Sequence, residues 1–239
     1  MKMKNKKEDQ IVKKKEHKEF LRRGKRSKIS LERNDPSINE KPTILIVCEG
    51  RNTEPSYFNK FRLSSATVKS IGEGYNTVSL VNRAKKLADA KSYDQVWCVF
   101  DADPRPDDPS QLHRFDSAIN LSEKFGFGVA YSNQAFEYWL ILHFDDHQGG
   151  SMNRADYDKK INSLLKPFDI SYDGKKSKVI SDEFFEVLDG VDLKTNELRM
   201  NLAIKRAKRN FHLFDNVNPS AKESSTTVFR LVEELIKYI

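Results

Sequence analysis

Two short apolar runs, each closed by acid, constrain this chain more than anything else in it. Residues 94–103 read DQVWCVFDAD, in which five consecutive apolar side chains are followed at once by Asp101 and, after Ala102, by Asp103. An apolar run without alternation is a strand covered on both faces, and here its exit carries charge. Side chains two apart in an extended chain point the same way, so the two carboxylates are expected on one side, where their oxygens suit Mg2+ or Mn2+. Residues 44–48, ILIVC, repeat the design and end in Glu49. Gly50 is then expected to make a sharp exit through a positive φ, with Asn52 or Thr53 capping the next helix and Pro55 tolerated in its first turn. Open parallel sheets bind ligands beyond the carboxyl ends of their strands, so these acids meet only if the fold sets the two strands side by side.

The rest of the chain alternates strand and helix. Periodicity predicts a helix over 54–63, a strand over 67–71, helices over 77–91 and 110–124, and a strand over 127–131. That pattern implies an α/β fold with a mainly parallel four-stranded sheet flanked by helices. Gly72, Glu73 and Gly74 do not match a phosphate loop and read as a plain turn, and Asp107 and Asp108 read as caps for the helix after them. In SNQAFEYWLILHF, residues 132–144, a polar strand exit feeds a helix that is apolar apart from Glu137. A carboxylate there is expected to meet a metal or a basic partner, whereas His143 reads as a hydrogen-bonded core residue. After DDHQGG the pattern turns helical, over 157–165, 182–188 and 193–214, and ends in a helix over 224–239 capped by Ser and Thr. The expected division is a basic arm over 1–42, an α/β core over 43–148, and a helical extension over 149–239 that packs on the core.

Charge is distributed unevenly. Residues 1–34 hold 14 Lys/Arg against 5 Asp/Glu, a net +9, while the remaining 28 Lys/Arg and 30 Asp/Glu leave −2. The arm, with Arg22, Arg23, Lys25 and Arg26, is therefore the first candidate for sequence-independent contact with phosphates. A second is the helical cluster Lys205, Arg206, Lys208 and Arg209. Cys48 and Cys98 both fall inside the buried runs, which points to a reduced, cytoplasmic setting, and no apolar run is long enough to cross a bilayer.

With these segments laid out, the chain resembles the RloB family of bacterial defence-associated proteins. The likeness rests on IVCEGRNTEPSYF, VWCVFDAD, SNQAFEYWLILHF and NPSAKESSTTVFRLVEEL. That family is similar to Toprim domains, which occur in topoisomerases, primases and the nucleases of overcoming-lysogenization-defect type. A Toprim domain has a glutamate after its first strand and an Asp-x-Asp after a later one, flanking a divalent-metal site; these correspond to Glu49 and to Asp101 and Asp103. Glu54 and Glu137 rank second. Gln134 stands where the resemblance leads one to expect proline. The likeness implies a Toprim-like fold and a Mg2+- or Mn2+-dependent nuclease acting on DNA or RNA in phage defence. It also implies an ATPase partner from the same locus. Two rivals remain: a nucleic-acid-binding or regulatory subunit with a non-catalytic metal site, and a nucleotide-sugar transferase that would leave Glu49 without a role. Oligomeric state, homo-oligomers included, is left open.

Overall fold

Uninterrupted apolar runs become the interior strands. In a computed structural model, which describes residues 41–239 apart from 71–76, 106, 149–151, 153 and 215–216, β1 (Ile44–Cys48) is buried at all five positions. It lies between β2 (Ala66–Ser70) and β3 (Gln95–Asp101), and β4 (Gly128–Ser132) completes the sheet beyond β3. All pairings are parallel, and the order is β2-β1-β3-β4. The basic arm and the Gly72–Gly74 turn lie outside the described residues.

The two-residue repeat of each strand sorts its side chains between two apolar layers. Leu45, Val47, Val96, Cys98 and Phe100 face α2 (Thr77–Ala90) and α3 (Ser110–Lys124), meeting Leu80, Ala84, Phe115 and Ile119. Ile44, Ile46, Cys48 and Val99 face the other layer, which takes Tyr57 and Phe58 from α1 (Thr53–Asn59) and Trp139 from α4 (Glu137–Leu142). The same layer takes Ile161 from α5 (Arg154–Leu165), Phe184 from α6 (Asp182–Asp189), Ala203 from α7 (Arg199–His212) and Leu231 from α8 (Val228–Ile236). The helices after residue 153 thus share the sheet's own core rather than forming a lobe of their own. A parallel sheet must be covered on both faces, and here the C-terminal helices complete the cover of one of them. This is the α/β class expected, consistent with a Toprim-like fold. Among the described residues, no helix is long and apolar enough to cross a membrane.

Four local expectations need correction. Gly50 does not have a positive φ; its reason for being glycine lies in the site described below. Asn52 does not cap α1 through its side chain but donates to the Ser177 carbonyl at 2.8 Å. The chain after residue 190 is not purely helical, because a small antiparallel hairpin, β5 (Val191–Asp192) with β6 (Glu197–Leu198), precedes α7. Finally, residues 224–227 are not the first turn of the last helix. They run antiparallel along β4: Thr227 N–H donates to the Tyr131 carbonyl at 2.8 Å, Asn133 N–H to that of Ser225 at 2.8 Å, and Tyr131 N–H to the Thr227 hydroxyl at 2.9 Å. The hydroxyls that looked like helix caps satisfy an exposed sheet edge instead, which would otherwise invite pairing with another chain.

Candidate functional site

Sheet order decides where the acids go. The chain leaves β1 for β2 on one side and returns to β3 and β4 on the other, so the order reverses between β1 and β3. In sheets of this kind a crevice opens at the carboxyl ends of those two strands. Glu49 is the first residue past β1, and its N–H still donates to the Val99 carbonyl of β3 at 2.9 Å. Asp101 ends β3, opposite Ser132 of β4. The side-by-side placement of the two acid-ended strands, assumed from sequence, is therefore what the chain adopts.

The carboxylates are held by specific donors. Phe136 N–H donates to Asp101 Oδ2 at 3.1 Å, and the next residue, Glu137, opens α4. Glu137 is only 8% exposed, and its Oε1 accepts from the Tyr172 hydroxyl at 3.0 Å. That hydroxyl lies 3.3 Å from Thr53 Oγ1, one residue before Glu54. Glu54, 6% exposed, explains Gly50: a Cβ on Gly50 would fall 2.1 Å from Glu54 Oε2. What the glycine provides is room for the Glu54 carboxylate and not a special backbone conformation. Asp101, Glu54 and Glu137 thus gather on the layer that holds α1 and α4.

Two tyrosines register this negative charge. Burial, then the Glu137 carboxylate, push the Tyr172 hydroxyl above the usual range for a phenol. Tyr157, on α5, is raised by burial first, with Asp101, Glu137 and Glu223 among the charges that add to it. Its side chain is 1% exposed and, among the described residues, its hydroxyl has no hydrogen-bond partner. Sequence reading passed over both tyrosines. Tyr172 carried a usable signal, because a lone aromatic in the polar stretch ISYDGKK must find an interior seat and a partner for its hydroxyl. Tyr157 carried none, since a tyrosine on a helical stripe reads as core.

The other predicted site residues are placed differently. Asp103 has φ +38°, so the extended geometry that would align it with Asp101 stops at Ala102, and its carboxylate pairs with Arg105 at 3.2 Å. Asp108 makes no side-chain cap on α3 and accepts from Ser110 and Arg114, which hold its carboxyl below the usual range. Gln134 has φ +80°, a conformation closed to proline, and α4 begins only at Glu137. His143 is fully buried, with Nδ1 3.0 Å from the Trp139 carbonyl; burial pushes its pKa down to about 3. It is a neutral core residue, as read from the sequence.

The basic cluster on α7 is engaged within the chain. Lys205 pairs with Glu197, Lys208 with Glu233 at 2.6 Å, and Arg209 with Asp146, while Arg206 donates to the Leu142 carbonyl at 2.8 Å. Arg22, Arg23, Lys25 and Arg26 lie outside the described residues.

The donor set bears on which cation fits. Among the described residues, no three His, Cys, Asp or Glu side chains form a ready cage. Calcium-type sites need such a cage, whereas Mg2+ is commonly held by one or two carboxylates, with water and substrate phosphates supplying the rest. Hard carboxylate oxygens at the carboxyl ends of adjacent strands suit that second kind of site. Against known proteins, the family model for RloB-like protein matches residues 44–235. No curated protein and no solved structure matches this chain.

Proposed function

This chain belongs to the RloB-like protein family, and on that footing we propose that it is a divalent-metal-dependent nuclease that cleaves phosphodiester bonds in DNA or RNA. The observation that carries the reading is the placement of Glu49 and Asp101 at the carboxyl ends of adjacent parallel strands, on either side of the point where the sheet order reverses. Acids at such a point suit phosphoryl transfer, which needs charge neutralisation and a proton acceptor more than it needs a nucleophilic side chain.

Asp101 is the group to hold Mg2+ or Mn2+, with Glu54 and Glu137 behind it, and Asp103 joins it by exchanging Arg105 for the cation. A bound cation supplies charge neutralisation at the phosphoryl oxygens. The Phe136 N–H fixes the rotation of the Asp101 carboxylate, and Tyr172 does the same for Glu137. Glu49 comes from a different strand and is the group to take a proton from the attacking water or to give one to the leaving oxygen. Phage defence and an ATPase partner belong to this proposal and rest on the family likeness alone.

Incubating the purified protein with Mg2+ or Mn2+ against plasmid, single-stranded DNA, tRNA and nucleotide sugars tests the reading. Metal-dependent cleavage of a nucleic acid supports it, and turnover of a nucleotide sugar instead replaces it. One observation favours a second reading, a nucleic-acid-binding subunit with a non-catalytic site: Asp103 is already paired with Arg105. Binding without cleavage under every metal condition would select it.

A further inference from the structure

Two cations converge on a single aromatic ring in the C-terminal segment. Lys222 Nζ lies 4.3 Å from the centre of the Phe211 ring and Arg230 Cζ lies 4.8 Å from it. The two charges are therefore at most about 9 Å apart and repel each other. Among the described residues neither takes part in an ion pair or a side-chain hydrogen bond. Lys222 is 8% exposed as a residue, so its stem is packed against the protein while its ammonium is carried over the ring. The ring attracts each cation but neutralises neither.

The arrangement is held from several directions. Ser220, two residues before Lys222, donates N–H and O–H to Asp116 at 3.0 and 2.6 Å. The Asn133 amide donates to the Pro219 carbonyl at 3.0 Å, and the Ser225 hydroxyl to that of Lys222 at 2.7 Å. Arg230 stands in the first turn of α8, just after the segment paired with β4. The contrast with α7 is direct: its basic run is longer, yet Lys205, Lys208 and Arg209 are each spent on an acid of this chain. The segment begins at the carboxyl end of β4, where Ser225 accepts from the Asn133 N–H. Glu223, the neighbour of Lys222, accepts from the Gln134 amide at 3.2 Å and is felt by Tyr157 together with Asp101 and Glu137.

We infer that Lys222 and Arg230, organised around Phe211, form a phosphate-binding site that grips the backbone of a nucleic-acid strand. This rests on the proposed nuclease reading for its ligand, and it supplies what that reading lacks, a cationic contact for the strand outside the acids. A phosphodiester fits because it is anionic, repeats along the strand, and accepts from a lysine ammonium and an arginine fork at once.

The test uses full-length protein, a short fluorescein-labelled single-stranded oligonucleotide, and EDTA to prevent cleavage. Arg230→Gln and Lys222→Gln are each expected to weaken binding about 5- to 10-fold at low salt and to reduce the slope of log Kd against log salt by about one. Inorganic pyrophosphate, as competitor, is expected to bind more weakly than the oligonucleotide. Wild-type affinity and slope in Arg230→Gln would overturn the inference, and because that side chain is exposed it decides the matter even if Lys222→Gln fails to fold. Pyrophosphate binding as tight as the oligonucleotide would overturn it too, making the site one for free polyphosphate. Mn2+-dependent hydrolysis of bis(p-nitrophenyl) phosphate by the wild-type protein reads the acids separately. Its absence, beside the expected losses in the two variants, would remove the nuclease reading and leave this site standing.

Discussion

The Tyr172 hydroxyl donates to the Glu137 carboxylate across 3.0 Å, tying the loop before α6 to the first residue of α4. Neither group is accessible enough to find water in place of the other. Tyr172→Phe should therefore lower the melting temperature by about 3–10 °C, the effect of losing a hydrogen bond to a charged group in a chain of this size. In a Glu137→Gln background the same change should have a smaller effect. Equal losses in the two backgrounds would mean that the bond does not couple the residues.

Gly50→Ala should push the Glu54 carboxylate out of its seat, since the added carbon would overlap Oε2. We expect a loss of about 1–3 kcal/mol in chemical denaturation, as for other overpacked sites. Adding Glu54→Ala should recover most of it. A double variant no more stable than Gly50→Ala would show that the contact with Glu54 is not what the added carbon disturbs.

The glycine illustrates how much the sequence discloses. That a glycine belongs between the first strand and its helix was legible, but the reason was not, because a positive φ and a lack of room leave the same letter. The interior strands were legible because unbroken apolar runs such as those around Ile46 and Val99 admit few other fates. The span of α3 matched its expected limits, 110–124, for a similar reason: its apolar stripe ends where Gly126 turns the chain at φ +72°. Thr226 and Thr227 misled because hydroxyls just ahead of an apolar stripe are a cap signature, and the edge of β4 that they serve is more than ninety residues distant. Asp101 and Glu49 were legible from their strands. Asp103 was placed by extrapolating an extended chain through a residue with φ +38°.

Stability should fall in acid partly through His143. Burial depresses the folded-state pKa of this imidazole to about 3, and the Arg206 and Arg199 charges act in the same direction; in the unfolded chain it titrates near 6.5. Between those values the unfolded state binds the additional proton, so stability present above about pH 6.5 declines as pH falls toward 3. The difference in unfolding free energy between wild type and His143→Leu should shift by about 2 kcal/mol against the wild type from pH 7.5 to pH 5. Urea titrations of both proteins at the two pH values measure it. A difference independent of pH would mean that the imidazole is not buried in its neutral form.

Glu49→Gln should separate binding from turnover. Glutamine keeps the size and much of the hydrogen bonding but cannot take a proton near neutral pH. Single-turnover cleavage should slow by about a hundredfold or more while Mn2+ affinity changes little. A large loss of Mn2+ affinity would make Glu49 a ligand instead.

The central claim is that Asp101, at the end of β3 and beside the exit of β1, anchors a divalent cation used for cleavage. Calorimetric titration of Mn2+ into wild type and Asp101→Asn tests it most directly, with a thermal melt of each to show that both are folded. The account predicts saturable binding by the wild type and its loss in Asp101→Asn at an unchanged or raised melting temperature, because removing one of several clustered carboxylates relieves repulsion. Equal Mn2+ affinity in the two proteins would contradict it.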